Sequence, residues 1–379
     1  MQFKHYGTIN PLRSSFPKVS RLMESGVSKG VFPGAVLLAA RGEDLLFHQA
    51  FGYANLVPER QPLRTDTVFD LASLTKPLAT TLAIMILTAQ GRLALDNPLP
   101  FWAGKSKAKA AREITLRQLL AHSSGLPAYV PYYTRLLQQR GNKKNRLRHW
   151  IIDEPLLSPP GAQTLYSDLG FIILEWLIEE TTGEDLEVWT RKNIYQPLGL
   201  PQMGFRPLLK SGVLHPENYA ATEDCPWRKK ILRGEVHDDN AWAVGGVSGQ
   251  AGLFATALEV FQLLRVLKRG FDKPRTIGLF SGKWTRSFWE KQKHPLGTTR
   301  ALGFDTPTRT GSSAGRFFSP RTVGHLGFTG TSFWFDLEKD IMVILLTNRI
   351  HPTRTNEKIK AFRPKIHDQI FKEIFQDSF

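Results

Sequence analysis

Strand-like segments lie at both ends of this 379-residue chain, and helix-like segments occupy the part between them. Residues 34–40 and 44–51 are apolar runs joined by a turn at Gly42, which is the pattern of a β-hairpin. Three more strands are expected near the other end, at residues 322–328, 332–337 and 341–347. Because both ends supply strands, we expect them to share one antiparallel sheet. The predicted fold class is α+β, with the sheet flanked by helices and a mainly helical lobe inserted.

The arrangement of strands at both chain ends and helices between them also predicts two lobes. Residues 1–72 together with 272–379 would form the α/β lobe that holds the antiparallel sheet, and residues 73–271 would form the mainly helical lobe. A chain of this length buries a sizeable core, and ligand sites are common between packed lobes. We therefore expect the active site in the cleft between them.

Local signals mark several helix boundaries inside the chain. Thr115 with Gln118, and Thr256 with Glu259, are capping boxes that predict helix starts. Residues 240–252 contain four glycines, which indicates unusual backbone angles or a close approach to another segment.

Two further segments carry weaker signals. Residues 197–235 are poorly periodic and are predicted to be rich in loops. A last amphipathic helix is expected between residues 356 and 375, with Pro364 marking its first turn.

The chain is strongly basic, with 50 Lys and Arg residues against 34 Asp and Glu residues and a net charge of +16. Basic residues cluster in segments 105–112, 135–148 and 228–233. Such an excess attracts anionic polymers, but no nucleic-acid-binding module accompanies it. We interpret the charge as a solvated basic face and expect no nucleic-acid partner.

Cysteine usage and apolar segments bear on the compartment. Cys225 is the single cysteine, so no intrachain disulfide is possible. Residues 1–30 contain no apolar core of a signal peptide, and the apolar runs fall short of the roughly 18–20 residues of a membrane span. The expected location is cytoplasmic, or periplasmic or secreted if a leader is missing. The sequence carries no signal for an oligomeric state.

A serine and a lysine stand three residues apart at the start of an apolar run, residues 78–87. On a helix, Ser73 and Lys76 would share one face. A serine hydroxyl is a poor nucleophile until a base takes its proton, and a lysine one turn away could do so. Tyr166 precedes an apolar helix and could shuttle protons if neighbouring positive charge lowers its pKa from about 10.

Residues 324–330 form a strand flanked and interrupted by glycines, with His325 inside it. Such an edge lets a substrate lie close to the backbone, whose N–H groups could hold an oxyanion. The segment His237-Asp-Asp-Asn240 has metal-ligand residue types, but no spaced Cys or His cluster completes a site. We interpret it as loop scaffolding and expect neither a metal nor an organic cofactor.

The Ser73–Lys76 pair, Tyr166 and the His325 strand follow one another along the chain. In this order, the three motifs resemble those of the serine β-lactamase and penicillin-binding-protein-like superfamily. The resemblance is to its class C-related branch, which contains esterases, D-aminopeptidases and D,D-peptidases, and it covers nearly the whole chain. It implies the multi-domain β-lactamase/transpeptidase-like fold. The matching stretches are Asp70-Leu-Ala-Ser-Leu-Thr-Lys76, residues 114–127, Tyr166-Ser-Asp-Leu-Gly170, Gly252-Leu-Phe-Ala-Thr256 and Gly324-His-Leu-Gly-Phe-Thr-Gly330.

The resemblance also implies a role for each motif. The implied roles are Ser73 as acyl-forming nucleophile, Lys76 and Tyr166 as the base pair, His325-Leu326-Gly327 as the strand beside the substrate, and the backbone N–H groups of Ser73 and Phe328 as the oxyanion hole.

Two departures from the superfamily pattern affect substrate choice. The third motif is commonly Lys-Thr-Gly in β-lactamases, whereas here His325 supplies an imidazole that is mostly neutral near pH 7. Asp168 stands where Asn is common, and an ionised Asp only accepts hydrogen bonds. Close to Lys76, it would raise the lysine pKa by about 1–3 units and leave proton abstraction mainly to Tyr166. Alternatively, Asp168 receives a substrate amine. The sequence does not decide whether Lys76 or Tyr166 is the main base.

The predicted function is a serine hydrolase that cleaves an ester or amide bond through an acyl-Ser73 intermediate. The expected substrate is a small-molecule ester or a short peptide, and the expected activity is that of a D-amino-acid peptidase, an amidase or a carboxylesterase. The alternatives are a β-lactamase, or a non-catalytic penicillin-binding-like protein that captures its ligand without turnover.

Overall fold

The computed structural model describes residues 16–99, 109–208, 215–272 and 279–375. Lys105 and Lys107 of the first basic cluster lie outside these ranges. The strands are β1 (Gly34–Arg41), β2 (Asp44–Asn55), β3 (Gln61–Pro62), β4 (Phe69–Asp70), β5 (Gly204–Phe205), β6 (Ala221–Cys225), β7 (Lys230–Arg233), β8 (Leu253–Ala255), β9 (Thr322–Leu326), β10 (Ser332–Asp336) and β11 (Ile341–Thr347).

Helices occupy most of the chain between β4 and β9, and one further helix lies near each end of the chain. They are α1 (Pro17–Ser28), α2 (Thr81–Ala89), α3 (Leu116–Leu120), α4 (Tyr133–Leu136), α5 (Lys143–Ile152), α6 (Asp168–Thr182), α7 (Leu186–Thr190), α8 (Asp239–Ala243), α9 (Ala257–Asp272), α10 (Gly282–Trp289) and α11 (Ile359–Ile374).

One six-stranded sheet combines both ends of the chain, in the order β3-β2-β1-β11-β10-β9. The two ends meet where β1 pairs antiparallel with β11, with Ala35 opposite Thr347 and Arg41 opposite Ile341. The predicted α+β class, with an antiparallel sheet built from both chain ends, is confirmed.

The sheet is buried on both faces, which explains why β1 is apolar from Gly34 to Ala40, up to the exposed Arg41 at its end. Because successive side chains of a strand point to opposite faces, Val36 and Leu38 pack with α2 and α9, whereas Ala35 and Leu37 pack with α1 and α11. The chain termini thus cover one face of the sheet, and the central helices cover the other.

The segment that carries Ser73 runs into the core as an 18-residue helical stretch, Ala72–Ala89. It combines a 3₁₀ turn (Ala72–Leu74), a π turn (Lys76–Thr80) and α2. By length and composition it meets the requirement for a membrane span, so the expectation that no apolar stretch is long enough was wrong. This is weak evidence for a span, because 89% of the stretch is buried inside the protein, as in any core helix.

Most predicted boundaries agree with the structure. Thr115 and Gln118 form the capping box of α3 with both reciprocal hydrogen bonds, and Thr256 and Glu259 bond reciprocally at the start of α9.

Residues 197–235, predicted to be rich in loops, contain β5 and the β6–β7 hairpin between irregular segments. The prediction for Pro364 was wrong. Pro364 lies inside α11 and not in its first turn. The buried side chains of Ile359 and Phe362 pack into the core before the proline, and this packing extends the helix through a position that lacks a backbone donor.

Candidate active site

The turn before Ser73 is held in a strained conformation by one buried carboxylate. Ala72 has a φ of +47°, which is uncommon for a residue with a side chain. Asp70 accepts hydrogen bonds from the backbone N–H of Ala72 at 2.8 Å and from that of His237 at 2.7 Å. Positive-φ residues of this kind persist where the surroundings fix them, as at many functional sites.

Lys76 is fully buried behind Ser73. Its Nζ lies 3.1 Å from Ser73 Oγ, 3.0 Å from the carbonyl oxygen of Gln250 and 2.7 Å from Asp168 Oδ1. Burial by itself would lower the pKa of Lys76, but the carboxylate of Asp168 and the hydroxyl of Tyr166 outweigh it, so the pKa is raised. This is the direction expected from the sequence, and it leaves a lysine ammonium in the resting protein.

Tyr166 is placed by the start of α6. Ser167 caps this helix by accepting a hydrogen bond from the N–H of Gly170 at 3.4 Å, and its own N–H donates to His122 Nδ1 at 3.0 Å. The Tyr166 ring packs on the His122 ring at a centroid distance of 4.4 Å. The guanidinium of Arg300 lies over the Tyr166 ring, 5.3 Å from its centroid.

The hydroxyl of Tyr166 interacts with both Lys76 and Ser73, so the three groups form one hydrogen-bonded cluster. Burial raises the pKa of Tyr166, Lys76 lowers it and Asp168 raises it again, with a net increase. The positive charge of Lys76 does lower this pKa, but the net pKa does not fall below its ordinary value, which was the condition set from the sequence. Burial and the carboxylate outweigh the ammonium, and Tyr166 is a neutral phenol at rest.

His325 lies in β9, the edge strand of the sheet, with its ring 6.0 Å from that of Tyr166. Its Nδ1 is 2.9 Å from the carbonyl oxygen of Leu326, and its buried Nε2 has no hydrogen-bond partner among the described residues. Burial, followed by the charges of Lys76 and Arg300, holds the pKa of His325 well below its ordinary value. The imidazole is therefore neutral near pH 7, as expected.

The turn after β9 is fastened to the residues that precede Ser73. Thr329 Oγ1 donates to the carbonyl oxygen of Asp70 at 2.8 Å, and Thr331 Oγ1 donates to that of Leu71 at 3.0 Å. A Cβ on Gly327 would lie 2.7 Å from the same Leu71 oxygen and 2.0 Å from Thr331 Oγ1. Only glycine permits this approach, which fixes the spacing between the two turns.

A pocket of about 380 Å³ opens beside Ser73. Of the residues predicted from the sequence, Ser73, Tyr166, Asp168 and Phe328 line it. Leu326 ends β9 and Gly327 begins the turn after it. The full lining is Ala72, Ser73, Tyr129, Tyr166, Asp168, His237, Asp238, Asp239, Gln250, Ala251, Phe328 and Arg354.

The segment His237–Asn240 has a structural role and also contributes to the pocket wall. Asp238 caps α8 by accepting a hydrogen bond from the N–H of Ala241 at 2.7 Å, and Asn240 Oδ1 accepts from the N–H of Tyr133 at 2.8 Å. Across the described ranges, no group of three or more His, Cys, Asp or Glu residues could hold a metal ion.

Sequence reasoning did not single out Arg300 or Gln250. Arg300 comes from an irregular segment and carried no signal. Gln250 lies within residues 240–252, whose glycines did indicate a close approach. The close approach occurs at Gly249, where a Cβ would lie 2.1 Å from the carbonyl oxygen of Phe171 in α6.

A family model described as Beta-lactamase matches residues 19–365. The chain belongs to the beta-lactamase family. Among curated proteins, this beta-lactamase-family chain is similar to the N-acetylmuramyl-L-alanine amidase of Bacillus subtilis (strain 168), with 32% identity over 374 residues that cover 88% of this chain and 81% of the relative. A putative D-alanyl-D-alanine carboxypeptidase of Escherichia coli (strain K12) is 32% identical over 377 residues, which cover 90% of this chain and 85% of that protein.

Solved structures show the same fold. EstCE1, a hydrolase with promiscuous acyltransferase activity, has a TM-score of 0.71 and 23% identity, and the match covers 92% of this chain and 97% of EstCE1. A LovD6 mutant of simvastatin synthase from Aspergillus terreus has a TM-score of 0.70 and 21% identity, with coverages of 94% and 95%. Together with the family membership, these matches identify the chain as a serine hydrolase of the beta-lactamase family.

Proposed function

We propose that the protein hydrolyses an ester or amide bond through an acyl-Ser73 intermediate, with Lys76 and Tyr166 exchanging the protons. The observation that carries this proposal is the contact between Ser73 Oγ and the buried Lys76 Nζ, at 3.1 Å, at the wall of a pocket of about 380 Å³. A serine nucleophile needs a base within hydrogen-bond reach, and the pair supplies one.

In acylation, Ser73 Oγ attacks the substrate carbonyl carbon, and its proton passes to the Tyr166–Lys76 pair. The attacking form must hold one proton fewer than the resting form, because a phenol and an ammonium cannot accept another. The same proton then goes to the leaving alcohol or amine as its bond to the carbonyl carbon breaks. The backbone N–H groups of Ser73 and Phe328 would hold the oxyanion.

In deacylation, a water molecule attacks the acyl carbon and gives a proton to the same pair. The bond from Ser73 Oγ to the acyl carbon breaks, Ser73 takes the proton back, and a carboxylic acid leaves. The two half-reactions add up to hydrolysis and return the Tyr166–Lys76 pair to the form, one proton short of the resting state, that attacks in the next turnover.

The substrate class is proposed as a small ester or a short peptide that contains D-amino acids. The names of the amidase and carboxypeptidase relatives favour amide substrates, and an ester remains the second candidate class. The neutral His325, in place of a charged lysine, disfavours β-lactam turnover. We further propose that the pocket is the cleft between an α/β lobe, residues 1–72 with 272–379, and a helical lobe, residues 73–271.

The test is active-site labelling followed by a substrate panel. A fluorescent fluorophosphonate should label the protein once, and Ser73→Ala should abolish both labelling and hydrolysis because it removes the nucleophile. Ser28→Ala is the matched control, since Ser28 is exposed on α1. Nitrophenyl esters, D-aminoacyl amides, D-alanyl-D-alanine peptides and nitrocefin then rank the substrate classes.

Two outcomes would contradict the proposal. Equal labelling of wild type and Ser73→Ala would place the nucleophile elsewhere. A labelled protein that turns over no member of the panel would instead favour a ligand-capture protein.

A further inference from the structure

Acidic side chains at the pocket beside Ser73 are nearly all balanced by cations. The balanced pairs are Asp168 with Lys76 at 2.7 Å and Asp239 with Arg228 at 2.8 Å. The lining residue Arg354 is itself paired with Glu223, outside the lining, at 2.6 Å. Arg354 also reaches Asp239 at 3.3 Å. Asp238 is different, because it has no ion-pair partner within the described ranges.

Asp238 lines the pocket, and only one of its two carboxylate oxygens is hydrogen-bonded to the described residues. Its Oδ1 is occupied, since it accepts hydrogen bonds from the N–H of Ala241 at 2.7 Å and from Gln250 Nε2 at 3.3 Å. Its Oδ2 makes no hydrogen bond to any described residue. Burial, and then the nearby carboxylate of Asp168, raise the pKa of Asp238 to about 6, although the N–H of Ala241 and the more distant ammonium of Lys76 lower it.

A second unused acceptor lies in the same wall. Gln250 is 1% exposed, lines the pocket, and has no hydrogen-bond partner for its Oε1 in the part of the chain described. A buried polar atom without a partner costs free energy unless a ligand supplies one. Tyr129 lines the pocket as well, and aromatic faces attract cations.

We propose that Asp238, with Gln250 Oε1, binds an ammonium group on the acyl part of the substrate, so that the enzyme selects small aminoacyl esters or amides with a free amine. This inference rests on the proposed function, since the acyl part is the one transferred to Ser73. It makes Asp238 a specificity-determining residue, separate from the groups that exchange protons.

The chemistry of an ammonium group matches the unused atoms. It carries three donors and one positive charge, and Asp238 and Gln250 offer acceptors and one unbalanced negative charge. A neutral group of the same size, such as a methyl, would bury these acceptors unpaired. Sites built around a polar substrate group discriminate strongly against analogues that lack it, for this reason.

The experiment compares the benzyl ester of D-alanine with the benzyl ester of isobutyric acid, in which a methyl group replaces the ammonium. The readout is the ratio of the two kcat/KM values at pH 7, from released benzyl alcohol. Asp238→Asn removes the charge and keeps the helix cap, because Asn caps as well as Asp. Asp224→Asn makes the same change in charge at an exposed position of β6 and is the matched control.

Wild type should prefer the D-alanine ester, and Asp238→Asn should lower the ratio by about tenfold or more, since it removes a partly buried charge partner. Asp224→Asn should leave the ratio at the wild-type value. The proposal is overturned if Asp238→Asn, folded and labelled by fluorophosphonate, keeps the wild-type ratio. Failure of the underlying hydrolase function looks different, because neither ester would then be cleaved in a Ser73-dependent way.

Discussion

At the scale of single residues, the site is governed by Asp168. Its carboxylate holds the Lys76 ammonium at 2.7 Å and raises the pKa of both Lys76 and Tyr166. The resting cluster is therefore fully protonated, whereas the proposed attack by Ser73 requires it to have lost a proton. Asp168 stabilises the resting state at the expense of the reactive one.

Replacing this carboxylate should shift the pH dependence of the reaction. Asp168→Asn removes a contribution that raises both pKa values, so the cluster should lose its proton at lower pH. The rising limb of kcat/KM against pH for a neutral nitrophenyl ester should move down by about 1–3 pH units. Asp185→Asn, an exposed change before α7, should leave the profile in place. An unchanged profile in Asp168→Asn would show that this cluster does not set the pH dependence.

At the scale of elements, two turns from distant parts of the chain build the reactive edge of the pocket. The turn after β9 is joined to the turn before Ser73 by Thr329 and Thr331, and Gly327 allows their close contact. The glycines of this strand were visible in the sequence. Their partners were not, because Asp70 and Leu71 accept through backbone oxygens, which any residue type provides.

Removing one hydroxyl should loosen this junction. Thr329→Val keeps the side-chain shape but leaves the carbonyl oxygen of Asp70 without its hydroxyl donor, which should cost about 1–2 kcal/mol of unfolding free energy. Fluorophosphonate labelling well below the unfolding temperature should also slow, by about tenfold, because the proposed oxyanion hole spans both turns. Thr353→Val, at an exposed threonine, is the control. Slower labelling is the decisive readout. If Thr329→Val lowers the stability but labels at the wild-type rate, the junction has a structural role only.

At the scale of the whole molecule, the arrangement of the sheet was predictable and its electrostatics were not. The turn at Gly42 and the continuous apolar run of β1 contain enough local information to place the hairpin, and the capping box at Thr115 places α3. The raised pKa of Tyr166 and the position of Arg300 depend on burial and on long-range packing, which no local pattern encodes. The prediction from Pro364 was wrong because tertiary contacts outweighed the local preference of proline for the first turn of a helix.

The last helix should therefore control the stability of the whole sheet. Ile366 is fully buried between α11 and the face of the sheet that α1 also covers, and Arg363 of the same helix donates to the carbonyl oxygen of Thr331 at 3.0 Å. Ile366→Ala should lower the free energy of unfolding by about 2–5 kcal/mol, through lost burial and the cavity left behind. Ile374→Ala, at the partly exposed end of α11, should cost less.

Because both chain ends form one sheet with the strand beside the pocket, unfolding by urea should be a single transition in this variant. Tryptophan fluorescence and the rate of fluorophosphonate labelling should report the same midpoint, shifted to lower urea. Labelling that fails well before the fluorescence changes would show that α11 and the pocket edge unfold as a separate unit. Coincident midpoints would instead tie the reactivity of Ser73 to the packing of a helix on the far face of the sheet.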